Sequence, residues 1–271
     1  MIGTLLAQEF RSTRKNLLST VGVALLVVLV SLTLTALKVP VLGSVTMLLG
    51  IAVAVAVTPI VLGLLVENYW RSMYGREGYF TMALPVRGRT LFAAKALYGF
   101  VVALVALLIT LAGLLGAGTA YALAIGRDPG EFLREGLAMI QPWMVWFGVI
   151  VALLQVGYLV VAGAAIMSIG AQGRFNHLGF GAPVIGGVIV YVVMQIVTFA
   201  AILFIPLGVV LTGEDAGSVA ADGMLPGFIA SIQHQAAPHV LGLGFVVTSL
   251  AAIVLLAWWG IRSIERHTSL R

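Results

Sequence analysis

No cysteine occurs among the 271 residues, which excludes disulfide staples, thiolate metal sites and a cysteine nucleophile. Charge is scarce as well: 9% of residues are Asp, Glu, Lys or Arg, against 61% hydrophobic. Soluble domains sit near ~45–50% apolar, so a soluble fold of this length has no means of hiding the surplus. There is no Gly-x-x-x-x-Gly-Lys-Ser/Thr phosphate loop, which excludes nucleotide binding by that route. No carboxylate, lysine or arginine falls in the middle of a long apolar run. Ionisable groups at that depth cost about 2.5–3.5 kcal/mol on insertion scales and mark ion or proton paths where they occur. Their lack argues against a secondary transporter. No credible nucleophile–base pair stands out, and His234 and His239 have only Asp222 as a nearby third ligand, too few for a zinc centre. The net charge of +5 therefore reads as loop orientation and contact with anionic lipid heads, not as affinity for nucleic acid.

What is present is a set of six apolar runs. A spanning helix needs ~20 mostly apolar residues, and 17–37, 45–66, 94–115, 145–167, 184–205 and 240–259 supply them. The first is longer than the ~7–15 residues of a signal-peptide core and reads as a retained span. The pattern predicts an all-α membrane protein, with residues 1–271 forming a single transmembrane domain of six helices. With the N-terminus inside, the inner face receives Arg11, Arg14, Lys15, Arg71, Arg76, Arg87, Arg89, Lys95, Arg174, Arg262, Arg266 and Arg271. Only Lys38, Arg127 and Arg134 remain outside. The positive-inside rule then predicts two cytoplasmic termini. Within residues 1–16, Ile2, Leu5, Leu6 and Phe10 share one helical face, the pattern of an amphipathic interfacial helix. Of the outer loops, 131–140 predicts a short surface helix. The mildly apolar 206–238 predicts one or two short helices folded back on the outer membrane face.

Few polar groups lie inside the spans. Gln155 and Gln195 fall near mid-depth of the fourth and fifth, with Thr198 one turn on from Gln195. Hydrogen bonding between helices, worth ~0.6 kcal/mol on average, is the favoured reading; a polar spot on a substrate path is the other.

The segment 67–95, ENYWRSMYGREGYFTMALPVRGRTLFAAK, is the one strongly charged stretch. Gly78 and Pro85 bracket enough chain for one or two helical turns parallel to the membrane. Tyr79, Phe80 and Met82 suit a groove on another protein, ringed by Arg76, Glu77, Arg87 and Arg89, in the manner of a short helix pressed into a hydrophobic slot. The plainer alternative is an interfacial loop whose aromatics touch lipid heads. A smaller inner loop with Arg174, Phe175, Asn176 and His177 is the candidate second contact.

Part of this segment, GREGYFTMALPVRGRTLFAAK, carries an acidic residue, Gly-Tyr-aromatic-Thr, then Leu-Pro and a basic residue before the third span. It resembles the corresponding stretch in membrane-spanning permease subunits of type-2 class ATP-binding-cassette (ABC) exporters. The layout of six spans and a long outer loop before the last resembles that family too. The resemblance implies that two permease subunits, identical or related, pair in a bacterial cell membrane above separate ATPase subunits that bind ATP and magnesium. It implies no catalytic residue, cofactor or metal on this chain. It makes 67–93 a coupling loop in which Arg76, Glu77, Gly78, Tyr79, Phe80, Thr81, Met82, Leu84 and Pro85 meet the ATPase. Arg174 and Phe175 become a minor contact, 1–16 a connecting helix and 206–238 an outer gate. The uncharged interior points to a hydrophobic or amphipathic cargo. Two other readings stand beside it: a non-transport sensor or assembly protein docking a different cytoplasmic partner, and, third, a secondary transporter.

Overall fold

A computed structural model describes residues 2–38, 42–75, 77–83, 85–213, 215–234 and 238–266. Six helices are long and apolar enough to cross a membrane: α1 (Ile2–Ala36), α2 (Leu42–Met73), α4 (Gly88–Ala124), α6 (Pro142–Gly170), α7 (Gly181–Phe204) and α9 (Gly244–Arg266). Shorter pieces join them: α3 (Gly78–Met82), α5 (Pro129–Ala138), a 3₁₀ turn (Gly173–Leu178) and α8 (Met224–His234). Large apolar side chains such as Leu18, Leu26, Val188, Ile196 and Val254 point outward. Such a surface is stable only in a hydrocarbon solvent, and long helices satisfy every backbone polar group there. The protein is a multi-pass membrane protein.

The described residues divide into two compact units, one up to Gln141 and one from Pro142 onward. In the first, α1, α2 and α4 pack pairwise. One core cluster joins Val28 and Leu32 of α1 to Ala54 of α2 and Ala117 and Ala120 of α4. Another joins Val57 and Val61 to Ala106. Small residues dominate because lipid offers no hydrophobic drive, so close packing and interhelical hydrogen bonds hold the helices instead. Gly113 illustrates the limit: a Cβ there would sit 2.8 Å from the Cβ of Ala54. Thr110 donates to the carbonyl of Ala54 at 3.0 Å and pairs with Thr58 at 2.9 Å. α5 begins at an Asp128 cap whose carboxylate accepts from the Glu131 amide at 2.9 Å. It occupies most of the predicted surface helix.

In the second unit α9 packs against both α6 and α7. The buried face of α6 is again mostly small: Ala162, Ala164, Ala165, Ser168 and Gly170, with Val156 and Met167 as the larger members. Between α7 and α9 the chain departs from the all-α expectation. β1 (Gly208–Val210), β2 (Val219–Ala220) and β3 (Val240–Gly242) form an antiparallel sheet in the order β2-β1-β3, with Val209 opposite Val219 and Leu241. α8 accounts for one predicted helix of this loop, and its Phe228 meets Phe199 of α7 edge-on at 6.3 Å. Because β3 takes residues 240–242, the last long helix starts at Gly244 and runs on to Arg266.

α1 also differs from expectation. The amphipathic N-terminal stretch is not a separate helix; it is the opening of one unbroken helix of 35 residues. At 1.5 Å per residue that is about 52 Å, far more than the ~30 Å of a bilayer core. Its excess length lies at the N-terminal end, beside α3 and the start of α4.

Candidate functional site

The charged segment turns on α3. Its backbone is a single tight turn: the Gly78 amide donates to the Gly75 carbonyl at 2.9 Å, and the Ala83 amide to Tyr79 at 3.0 Å. Gly78 is buried, and Thr81 and Met82 are half-buried. Tyr79 and Phe80, in contrast, are 55% and 80% exposed. Glu77 is exposed and lies 3.9 Å from the Arg71 guanidinium, an ion pair in solvent that contributes little. Pro85 is exposed and helps stop the helix. Arg76 and Leu84 lie outside the described residues.

What holds this turn in place is hydroxyl chemistry. Thr81 Oγ1 donates to the Ser72 carbonyl at 2.7 Å, tying α3 to the end of α2. One step further in is a buried polar node. Lys95 Nζ, on α4, donates to Glu9 Oε1 of α1 and, at 2.8 Å, to Ser72 Oγ of α2. Asn68 Nδ2 donates to the second oxygen of Glu9 at 3.1 Å. Ser72 Oγ donates to the Asn68 carbonyl at 2.6 Å, and Thr13 hydrogen-bonds Tyr98. The Lys95 ammonium also sits 5.8 Å from the centre of the Tyr69 ring. The side chains of Lys95 and Glu9 are 4% and 12% exposed. A charge so buried is tolerated only when paired and hydrogen-bonded, and here α1, α2 and α4 all contribute. Beside the node a cleft of about 240 Å³ opens between α1 and α3, lined by Gln8, Ser12, Glu77, Phe80 and Leu91 among others.

Of this arrangement the sequence displays α3 and hides the node. Glu9 reads as a residue of a polar face and Lys95 as a loop cation. Two signals were nonetheless present. Glu9 is the sole carboxylate in residues 1–66, and Lys95 is embedded in the apolar run Leu91–Leu97 apart from its own charge. Asn68, Ser72 and Tyr98 carry no such signal.

The second expected contact lies in the other unit. Arg174 and Phe175 sit on the 3₁₀ turn, with the guanidinium 4.6 Å from the ring centre. Gln155, Gln195 and Thr198 divide. Gln155 donates to Ser249 at 3.2 Å and Thr198 pairs with Thr248 at 3.2 Å, so both join neighbouring helices to α9. Gln195 is exposed and donates to the Tyr191 hydroxyl on its own helix at 3.0 Å. Among the described residues no group of three His, Asp or Glu is placed to hold a metal ion.

Compared with family models, with curated proteins and with solved structures, the chain has no match in any of the three.

Proposed function

We propose that this protein is the permease subunit of an ABC exporter of the type-2 class, lying in a bacterial cell membrane with both termini cytoplasmic. The observation that carries the reading is α3. It is a short helix between two long ones, with two exposed aromatics and a hydroxyl anchor on its inner side. An exposed Tyr–Phe pair at a basic membrane surface suits a hydrophobic slot on a soluble partner. The partner in this reading is a separate ATPase subunit carrying ATP and magnesium, a division of labour with which the lack of a phosphate loop on this chain is consistent. A second permease subunit completes the path for a hydrophobic or amphipathic cargo.

In this reading ATP-driven movement of the partner pushes on Tyr79 and Phe80. Thr81 passes the push to Ser72, and Ser72 to Lys95 and Glu9, so three long helices move together. A loop without such a node would bend under load and waste the stroke. Gln195, with Tyr191, is the polar pair left on an exposed face of α7, open to cargo or to the second subunit.

The test is affinity purification of the intact protein from its own membranes in mild detergent. A stoichiometric ATPase should co-purify, and Tyr79→Ala together with Phe80→Ala should release it while the permease still inserts and elutes as a single species. Purification without any ATPase, or an ATPase indifferent to both substitutions, would sink the reading.

A further inference from the structure

At the end of the second unit where α6 and α9 finish, an open cleft of about 360 Å³ is lined by Gln172, Gly173, Arg174, Trp259, Arg262 and Ser263. Its charge is of one sign. Neither Arg174 nor Arg262 forms an ion pair among the described residues. Each guanidinium instead lies over a ring, Arg174 at Phe175 and Arg262 at Trp258, the latter 5.4 Å from the ring centre. Glu265 is not among the lining residues.

The floor of the cleft is polar and rigid. Gln172 and Ser263 are buried. Ser263 Oγ donates to the Ser168 carbonyl at 2.6 Å and accepts from Gln172 Nε2 at 3.1 Å. An amide nitrogen carries two donors, and the second of Gln172 meets no protein acceptor among the described residues. The cleft thus offers two cations and a neutral donor, with no carboxylate among its lining residues.

Two guanidiniums sharing one cleft repel each other, and an anion between them removes the repulsion. The planar fork of arginine matches phosphate oxygens in a way a carboxylate-poor, lysine-free site makes specific. The depth identifies the source of that phosphate. Arg262 follows directly on the apolar run of α9, and Trp258 and Trp259 beside it are exposed. Tryptophan rings settle at the headgroup level of a bilayer, where basic pockets between helices hold lipid phosphates.

We propose that this cleft binds the phosphate of an anionic lipid headgroup. Arg174 and Arg262 are its charged ligands, Gln172 is a donor at the floor, and Trp259 lies against the glycerol and first acyl carbons. The assignment is independent of any ATPase partner, and it gives Arg174 a role other than the minor contact that the resemblance implies.

The experiment uses the purified intact protein in neutral detergent with no partner present. Native mass spectrometry follows titration with phosphatidylglycerol, phosphatidylcholine and water-soluble glycerol phosphate. Phosphatidylglycerol should be retained at least about tenfold more tightly than phosphatidylcholine, and the preference should fade as salt is raised. Arg174→Gln and Arg262→Gln should each lower phosphatidylglycerol affinity about tenfold, the scale of a lost charge-assisted hydrogen bond. Phosphatidylcholine binding should not move. Arg174→Lys with Arg262→Lys keeps the charge and removes the fork, so it should lose part of the affinity. That variant decides the matter if the glutamine variants fail to elute as folded protein. Unchanged phosphatidylglycerol affinity in the variants would overturn the proposal. So would equal affinity for glycerol phosphate, which would make the ligand a soluble one.

Discussion

Removing Glu9 is the most informative perturbation of the first unit. Glu9→Ala deletes both carboxylate oxygens and leaves Lys95 Nζ, buried at 4% exposure, with Ser72 Oγ as its remaining hydrogen-bond partner and the Tyr69 ring nearby. Asn68 Nδ2 loses its acceptor as well. Removing one side of a buried ion pair costs about 3–5 kcal/mol, because the surviving charge stays out of water uncompensated. At ~2–4 °C per kcal/mol for a chain of this size, the lower end of that range shifts the unfolding midpoint by about 6–12 °C. Trp70 is the sole tryptophan in residues 1–141 and sits 5.5 Å from the Tyr74 ring near the node. With the other four tryptophans replaced by phenylalanine, its fluorescence reports the unfolding of this unit in detergent. The matched pair Glu9→Gln with Lys95→Met should recover much of the loss, since it removes both charges together. Double-mutant analysis should then give a coupling of about 2 kcal/mol or more, within the range seen for directly contacting residues. The reasoning fails if Glu9→Ala costs no more than the ~0.5 kcal/mol of an ordinary surface change, or if the two positions prove additive.

Three further outcomes follow from local geometry. Gly170→Ala places a Cβ 2.6 Å from the Pro183 ring; the overpacking should cost about 1–3 kcal/mol in thermal unfolding followed by the tryptophans of the second unit. Thr81→Val removes the bond to the Ser72 carbonyl, worth about 1 kcal/mol, and should speed amide exchange over residues 77–83 roughly fivefold without altering insertion. Asp128→Ala removes the α5 cap at a cost of about 1 kcal/mol, seen as faster exchange confined to residues 129–138.

The long helices were legible because lipid makes their composition extreme. Each predicted span lies within a single helix except the first, the fifth and the last. The first overruns at Leu37, which forms part of a turn, the fifth at Ile205, which lies just past the end of α7, and the last takes in the strand Val240–Gly242. Boundaries slipped where apolarity outlasts structure or polarity hides inside it. Residues 240–242 are as apolar as a helix start, yet they pair with β1, a contact between strands of two or three residues too short to leave a period-2 signature. α1 runs on into a charged stretch that looked like a separate interfacial helix, because Glu9 and Thr13 are polar on the face that turns out to be buried. Their polarity is matched by Lys95 and Tyr98, 86 and 85 residues away, and local periodicity cannot register so distant a partner. Gln155 and Thr198 behaved as interhelical hydrogen-bond residues, the reading that their depth favoured.

The separation of Glu9 from Lys95 also bears on how the protein is made. Synthesis proceeds from the N-terminus, so α1 enters the membrane long before the lysine that neutralises its carboxylate exists. A nascent chain with only two spans has Asn68 as the available donor for Glu9, and the cation that completes the node is still missing. Arrival of α4 supplies it, but only in one register: a slip of a single residue rotates Lys95 by about 100° around its helix and leaves both charges stranded. The ion pair thus closes only when the third long helix stands at the right depth, and a misthreaded chain would carry two buried charges in want of each other.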